Sequence, residues 1–198
     1  AVPVGAVERL VSAVGEFVDT LDDAQRHQAL LPFDRADRRR WAYTAGDRTG
    51  VPLWMLSRSQ TKTAFRLLAV LVAPAAFARA TAIMALEDVL DQLEGGRSER
   101  RHSRDYWLVL FGLPTAEPWG LRFEGHHVSV NATMAAGELT LTPLFLGANP
   151  ATVRDGDQVV LAPLQIEERL GFELVHSLSV EQRSTAVFSK QAPDDIVT

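Results

Sequence analysis

Residues 121–144, LRFEGHHVSVNATMAAGELTLTPL, combine two runs of strand-forming residues with a short turn between them. The first run covers residues 121–133 and the second covers residues 139–144, while the intervening AAGE contains Gly137. Alternation of apolar and polar side chains is typical of a half-buried strand, and a short turn with glycine joins antiparallel neighbours. This stretch therefore predicts an antiparallel hairpin at the centre of the fold.

Helical periodicity appears on both sides of this hairpin. Apolar residues recur there every three or four positions, which is the pattern of helices with one buried face. The glycine pair at positions 95 and 96 is typical of a helix end. The predicted helices cover residues 4–21, 57–72, 75–94 and the chain from about Pro163.

Two more strands are predicted before the hairpin. Residues 106–111 form a compact apolar run between a charged segment and Gly112, which indicates a buried strand. Alternation at residues 40–43 favours a short strand. Helices that bracket a strand-rich centre indicate an α+β fold with central antiparallel strands.

Three segments share a leucine, then Asp or Ser, then Gln three residues later. They begin at Leu21, Leu56 and Leu178. This spacing is typical of a capping box, in which the Asp or Ser side chain accepts from the backbone of the Gln and the Gln side chain reaches back. Because the spacing between the three copies is irregular, we interpret them as helix starts and not as a duplicated module.

Composition restricts the class of protein. The 198 residues are enough for one core, so a single domain over residues 1–198 is expected. A formal charge of −5 argues against nucleic-acid binding, and the absence of cysteine excludes disulfides and thiolate sites. The longest apolar stretch, residues 67–78, contains Pro74 and is too short for a membrane span.

The sequence leaves compartment and assembly open. It begins with Ala1 and not with methionine, which is compatible with removal of a leader or a tag. A soluble protein is expected, either cytoplasmic or exported after signal removal. The oligomeric state is left open.

Three motifs in order carry a family resemblance. They are RRWAYT at residues 39–44, PWGLRFEGHH at residues 118–127 and FLGANP at residues 145–150. Together they resemble DUF3500, an uncharacterised bacterial and fungal family, over about Arg39 to Arg183. The resemblance implies no reaction, because no activity is assigned to that family. It does imply that an export signal is common, and this chain departs from the family pattern at Leu121 and Ala45.

The tightest group of proton-transferring side chains is Glu124, His126 and His127. Carboxylate and imidazole suit acid/base catalysis, and they also suit zinc, iron or copper, so a divalent metal is one candidate cofactor. In a regular strand Glu124 and His126 share one face, and His127 joins them only if Gly125 forms a bulge. The alternative is a buried histidine whose partners only hold a sheet edge in place.

Glu87 is the predicted fourth member of the site. It lies on the helical stripe of Ile83 and Leu90, so we expect it to point inward as a third metal ligand or a general base. The alternative is a charge at the edge of that stripe.

A second group suits ligand binding. Arginine forks match carboxylate or phosphate, although surface ion pairing with the many acids is the alternative. Trp119 belongs to a set of aromatic residues that can wall a pocket, and Asn131 lies on the same strand face as His127. The predicted ligand-binding residues are Arg39, Arg40, Arg48, Arg122, Asn131 and Trp119.

The sequence thus favours an enzyme that acts on a small molecule. Its site is expected on the central hairpin, with Glu124, His126 and His127 as metal ligands or as an acid/base set assisted by Glu87. No nucleophile elbow and no phosphate loop can be recognised. The alternative function is a non-catalytic ligand-binding or structural protein in which the same residues form a buried hydrogen-bond network.

Overall fold

The computed structural model describes residues 5–97 and 101–193. Within them the elements form two compact units, one ending at Pro163 and the other beginning at Leu164. The single domain expected for residues 1–198 stays a prediction. In the described part of the chain, no helix is both long and apolar enough to cross a membrane.

The elements confirm the predicted α+β class. The helices of the first unit are α1 (Ala6–Thr20), α2 (Asp23–Ala29), α3 (Arg58–Leu71) and α4 (Pro74–Leu93), with short 3-10 helices at Ala36–Arg39 and Leu53–Met55. Its strands are β1 (Leu30–Leu31), β2 (Val51–Pro52), β3 (Tyr106–Phe111), β4 (Trp119–Gly125), β5 (Val128–Ala135), β6 (Glu138–Thr140), β7 (Leu144–Leu146), β8 (Val153–Asp155) and β9 (Gln158–Leu161). The second unit contains α5 (Gln165–Ser177) and α6 (Val180–Ala186).

Seven of these strands form one mixed sheet. Its path is β1-β3-β4-β5-β6, with β2 also paired to β3 and β7 also paired to β5. The β1–β3 pair is parallel, and the other pairs in the sheet are antiparallel. Strands β8 and β9 form a separate hairpin. Every residue of β3 and β4 is buried, so both faces of the central strands are covered.

The two faces of the sheet differ in polarity. Register places Leu108, Phe123 and Val130 side by side on one face, which is apolar. The opposite face carries Glu124 beside Ser129. Successive side chains of a strand point to opposite faces, so the remaining residues of these strands are divided between the two faces in the same alternating way. The buried polar groups therefore lie on one side of the sheet.

The central hairpin differs from the prediction in one respect that matters for the site. The expected strand over residues 121–133 is interrupted, because Gly125 pairs with Val128 and the two histidines form a tight turn between β4 and β5. Gly125 is a regular member of β4 and not a bulge. His127 adopts φ 59°, a left-handed conformation in which histidine is more common than most non-glycine residues.

The predicted turn around Gly137 is confirmed, and β5 and β6 pair across it. The second predicted run, residues 139–144, is divided between β6 and β7, and both pair with β5. The short strand expected at residues 40–43 is wrong. The backbone of this segment does not pair with the backbone of any described strand. Ala42 N–H donates to the Glu124 side chain, and the Tyr43 carbonyl accepts from His127 N–H.

All three predicted capping boxes are present, at Asp22, Ser57 and Ser179. Two of them are joined through their glutamines. Gln60 Nε2 donates to Gln25 Oε1 at 2.6 Å, and Gln25 Nε2 donates back to Gln60 Oε1 at 3.3 Å. Each amide also donates to a backbone carbonyl, of Thr20 and Met55 respectively. The two helix starts are thereby fixed to each other by a buried amide pair.

Replacing Gln60 with alanine should therefore cost more stability than replacing Ser57 with alanine. Both changes break the same capping box, which is worth about 1 kcal/mol. The Gln60 change also removes the hydrogen bonds between the two amides and leaves the Thr20 carbonyl without its side-chain donor, at a further cost of about 1–3 kcal/mol. Urea unfolding of the two variants measures the difference, and equal unfolding free energies would contradict the amide pair.

Candidate functional site

Glu124 is the centre of a buried charged cluster on the polar face of the sheet. Its side chain is almost fully buried, at 1% exposure. Oε1 accepts hydrogen bonds from Ala42 N–H at 2.6 Å and from Arg48 Nε at 3.2 Å. Oε2 lies 2.9 Å from Arg122 Nε, at ion-pair distance but without hydrogen-bond geometry to any described residue. The carboxylate thus holds two guanidinium groups and a backbone amide.

The same cluster attaches the segment before β2 to the sheet. Arg122 Nη1 donates to the carbonyl of Arg40 and, at 3.2 Å, to that of Asp37. Burial raises the pKa of the Glu124 carboxyl and lowers the pKa of Arg122, while their mutual attraction opposes both shifts. Desolvation of both charges makes such a pair costly to form and still more costly to break on one side.

The predicted anion-binding arginines do not meet around an open space. Arg48 donates to Glu124 and to the carbonyls of Thr44, Gly46 and Asp47. Arg122 likewise donates to backbone carbonyls of the protein. Arg39 and Arg40 are exposed. The sequence could not show that these guanidinium groups are already hydrogen bonded, because the carbonyls that accept from them belong to a segment without regular secondary structure.

The two other predicted ligand-binding residues are also held by the protein. Asn131 Nδ2 donates to Ser129 Oγ at 3.0 Å and to the Pro143 carbonyl at 2.9 Å. Asn131 shares a small cavity of about 120 Å³ with Arg39. Trp119 is buried in the core at 2% exposure.

His126 forms a second cluster, with Glu87. The Glu87 side chain comes from α4, is 3% exposed, and one of its oxygens is hydrogen bonded to His126 Nδ1. An ionised carboxylate can only accept, so Nδ1 is the donor when Glu87 is in that form, and Nε2 is the remaining nitrogen. No described residue is bonded to Nε2. The prediction that Glu87 points inward, toward the histidines, describes this arrangement well.

Arg101 anchors the acid of this pair. Its Nη1 lies 3.7 Å from Glu87 Oε2, and its Nε and Nη2 donate to the two carboxylate oxygens of Glu94 at 3.1 and 3.0 Å. Nη1 also approaches His126 Nδ1 to 3.2 Å, which is a contact between two N–H groups when Nδ1 is protonated. Arg101 therefore provides the positive charge beside Glu87.

The turn that carries the two histidines is fixed at several points. The Tyr106 hydroxyl donates to the His126 carbonyl at 2.7 Å, and burial raises the pKa of that hydroxyl. His127 N–H donates to the Tyr43 carbonyl and the His127 carbonyl accepts from Gly147 N–H, both at 2.8 Å. The two imidazole rings are stacked with centroids 4.0 Å apart. Burial and then the neighbouring His126 lower the pKa of His127 to about 4, so its ring is neutral near pH 7.

A cleft of about 530 Å³ opens beside the His126–Glu87 pair. Arg48 lines it as well, but Glu124 and His127 do not, so the expectation that Glu124 and His126 share a pocket is not met. The turn at residues 126–127 ends the strand periodicity on which that expectation was based. The remaining lining residues are Gln28, Ala45, Gly46, Asp47, Gly50, Pro52, Trp54, Met55, Asp105 and Trp107.

The predicted three-ligand metal set is not assembled. Glu124 is engaged by arginines, whereas His126 is engaged by Glu87. Over residues 5–97 and 101–193, no three Asp, Glu or His side chains form a group that could hold a metal ion.

Sequence reasoning missed Arg101 and Asp105 as members of the site. Both lie in the charged segment that precedes the strand predicted at residues 106–111. The one available signal is that Asp105 directly precedes a buried strand, where loop residues are often functional.

We expect Glu124→Gln to destabilise the protein by about 3 kcal/mol, because it leaves two buried guanidinium groups without a counter-charge. The matched control is Glu16→Gln, whose surface pair with Arg66 at 2.8 Å should be worth less than about 1 kcal/mol. Chemical unfolding at pH 7 measures both changes. Equal losses in the two variants would show that the Glu124 cluster is not a stabilising attachment.

The lowered pKa of His127 predicts a loss of stability in mild acid. Below pH 6.5 the unfolded chain binds a proton that the folded ring does not accept until about pH 4. The free energy of unfolding should therefore fall as pH decreases through that window, by roughly 1–3 kcal/mol from this residue, the lower figure allowing for solvent screening of the half-buried ring. His127→Asn keeps a residue that tolerates positive φ but does not titrate. A variant with an unchanged pH dependence of unfolding would contradict this assignment.

The comparisons with known proteins agree with the resemblance carried by the three motifs. The family model described as a protein of unknown function, DUF3500, matches residues 5–198. No curated protein and no solved structure matches the chain significantly. Because the family match covers nearly the whole sequence, the chain belongs to the DUF3500 family.

Proposed function

We propose that this protein is an enzyme that transfers protons to and from a small molecule bound in the cleft. His126 is the general acid/base, and Glu87 is its positioning residue. One observation carries the proposal: a buried carboxylate holds Nδ1 of an imidazole that lines a cleft of about 530 Å³. That volume lies in the usual range of small-molecule sites, about 300–1,000 Å³.

The geometry suits proton transfer at Nε2. Hydrogen bonding of Nδ1 to Glu87 selects the tautomer whose Nε2 has a free lone pair. When Nε2 accepts a proton, the Glu87 carboxylate stabilises the imidazolium, as in other carboxylate–imidazole pairs. The Arg101 guanidinium lies 3.7 Å from Glu87 Oε2 and places a fixed positive charge beside the carboxylate.

Rigidity supports the same role. A catalytic side chain works best when its neighbours fix its orientation. The Tyr106 hydroxyl fixes the backbone of His126, and the neutral ring of His127 packs against the His126 ring. His127 thus supports the site without contributing a charge to it.

The lining of the cleft narrows the reaction type. Its described residues include no serine, threonine, cysteine or lysine. A covalent route through a hydroxyl, thiol or amine of the protein is therefore less well supported than direct proton transfer. His126 would act on the substrate itself or on an attacking water.

The alternative, a non-catalytic protein with a buried polar network, is favoured by the Glu124 cluster. All its groups bind other parts of the protein and none lines the cleft except Arg48. We therefore assign Glu124 to structure and the pair of His126 and Glu87 to chemistry. The two readings then make different predictions for variants of His126.

Activity against chromogenic esters, phosphate esters and glycosides, each with and without an amino group in the substrate, tests the proposal. Each assay is run with and without a chelator, because a metal requirement stays a prediction. His126→Gln should lower the rate at least about 100-fold, the usual contribution of a general acid/base. The matched control His27→Gln, at an exposed residue of α2, should leave the rate unchanged. Turnover that is the same in His126→Gln and the unmodified protein would overturn the proposal.

The positioning role of Glu87 has a separate readout. Side-chain ¹⁵N NMR of His126 should show the Nδ1-protonated tautomer near neutral pH. In Glu87→Gln the amide oxygen can still accept that hydrogen bond, but it cannot stabilise an imidazolium. We expect kcat to fall while KM changes little. A spectrum dominated by the Nε2-protonated tautomer would contradict the assignment.

A further inference from the structure

Negative charge dominates the wall of the cleft. Its acidic residues are Asp47, Glu87 and Asp105, and Arg48 is the basic one among the described lining residues. The Arg48 guanidinium donates to Glu124 and to three backbone carbonyls of its own loop. It is therefore not free to bind an anionic ligand.

Two of the three acids have no charged partner among the residues that the structure describes. Glu87 is paired with His126 and lies near Arg101. By contrast, no described residue forms a salt bridge or a side-chain hydrogen bond with the carboxylate of Asp47 or Asp105. Asp105 is half-buried, and burial raises its pKa, with the charges of Glu87 and Asp47 adding to the effect and His102 opposing it. These acids are close enough to repel one another, and a bound cation would relieve that repulsion.

Aromatic side chains complete the same wall. Trp54 is 56% exposed although it lines the cleft, and Trp107 lines it as well. The face of an indole attracts cations and also packs against apolar groups. Acidic groups combined with tryptophan therefore suit an organic cation with an apolar portion.

The spacing of the acids distinguishes an organic cation from a metal ion. A metal ion needs several ligands at about 2.0–2.6 Å from one point. In the described chain, no three acidic or imidazole side chains are grouped closely enough for that. The negative charge is distributed over a cleft of about 530 Å³, which can enclose a larger cation.

We propose that the substrate of this cleft is a protonated amine with an apolar portion. Its ammonium group lies between Asp47 and Asp105, and its apolar portion packs on Trp54. This inference rests on the proposed function, because it names the molecule on which His126 acts.

Binding of three probes of similar size tests the charge preference. n-Butylammonium, n-butanol and butyrate are titrated into the full chain, and tryptophan fluorescence reports occupancy of the cleft. We expect n-butylammonium to bind at least tenfold more tightly than either other probe. Asp105→Asn should weaken its binding at least tenfold, and Trp54→Ala should reduce the fluorescence response. Asp19→Asn, an exposed acid on α1, is the matched control and should bind as the unmodified protein does.

His126→Gln separates this inference from the proposed function. It should still bind n-butylammonium even though turnover is lost. Equal binding of the three probes, a preference for butanol or butyrate, or unchanged binding in Asp105→Asn would overturn the amine inference. In each of those cases His126-dependent turnover would leave the proposed function in place. Displacement of n-butylammonium by an equimolar amount of Mg²⁺ or Zn²⁺ would instead identify a metal site and overturn the inference.

Discussion

The buried ion pairs of Glu124 hold together the part of the molecule on which the cleft depends. The carboxylate binds Arg122 of its own strand and Arg48 of the loop, and it also accepts from the backbone at Ala42. These contacts place an irregular segment on the polar face of the sheet. That segment supplies Asp47 to the cleft, and its Tyr43 carbonyl binds the turn that carries the histidines. Without this attachment, the segment would lose its fixed place at the cleft wall, and the turn would lose one of its backbone hydrogen bonds.

The turn between β4 and β5 separates the Glu124 cluster from the pair that we propose for proton transfer. If the strand continued through residues 126 and 127, alternation would place Glu124 and His126 on one face. The turn instead directs His126 toward Glu87 of α4, while Glu124 stays among the arginines. One short segment of sequence thus contributes to two clusters with different tasks. The left-handed φ of His127 is part of this change of direction.

The features that the sequence could predict are those that depend on residues close together in the chain. Capping at Ser57, the strand Tyr106–Phe111 and the inward direction of Glu87 are three such features. The histidine turn lacks the Asn-Gly or Asp-Gly signal by which two-residue turns are recognised, so alternation appeared to continue through it. Arg101 and Asp105 could not be assigned, because their roles depend on Glu87 and on the cleft, both formed by distant segments. The spacing of residues along the sequence does not show which distant segments come together in the fold.

The buried Glu124 cluster also affects the electrostatics of the cleft, because it holds the Arg48 side chain. A free Arg48 guanidinium at the cleft wall would offset Asp47 and Asp105 and would favour anions. Because Glu124 and the backbone carbonyls of the loop bind Arg48, its fork faces protein oxygens and not the ligand space. Field strength in a cleft depends on the charges that remain uncompensated near its wall. Glu124 therefore influences the electrostatics of the cleft without lining it, because the contact that fastens the loop also prevents Arg48 from compensating Asp47 and Asp105 at the cleft wall.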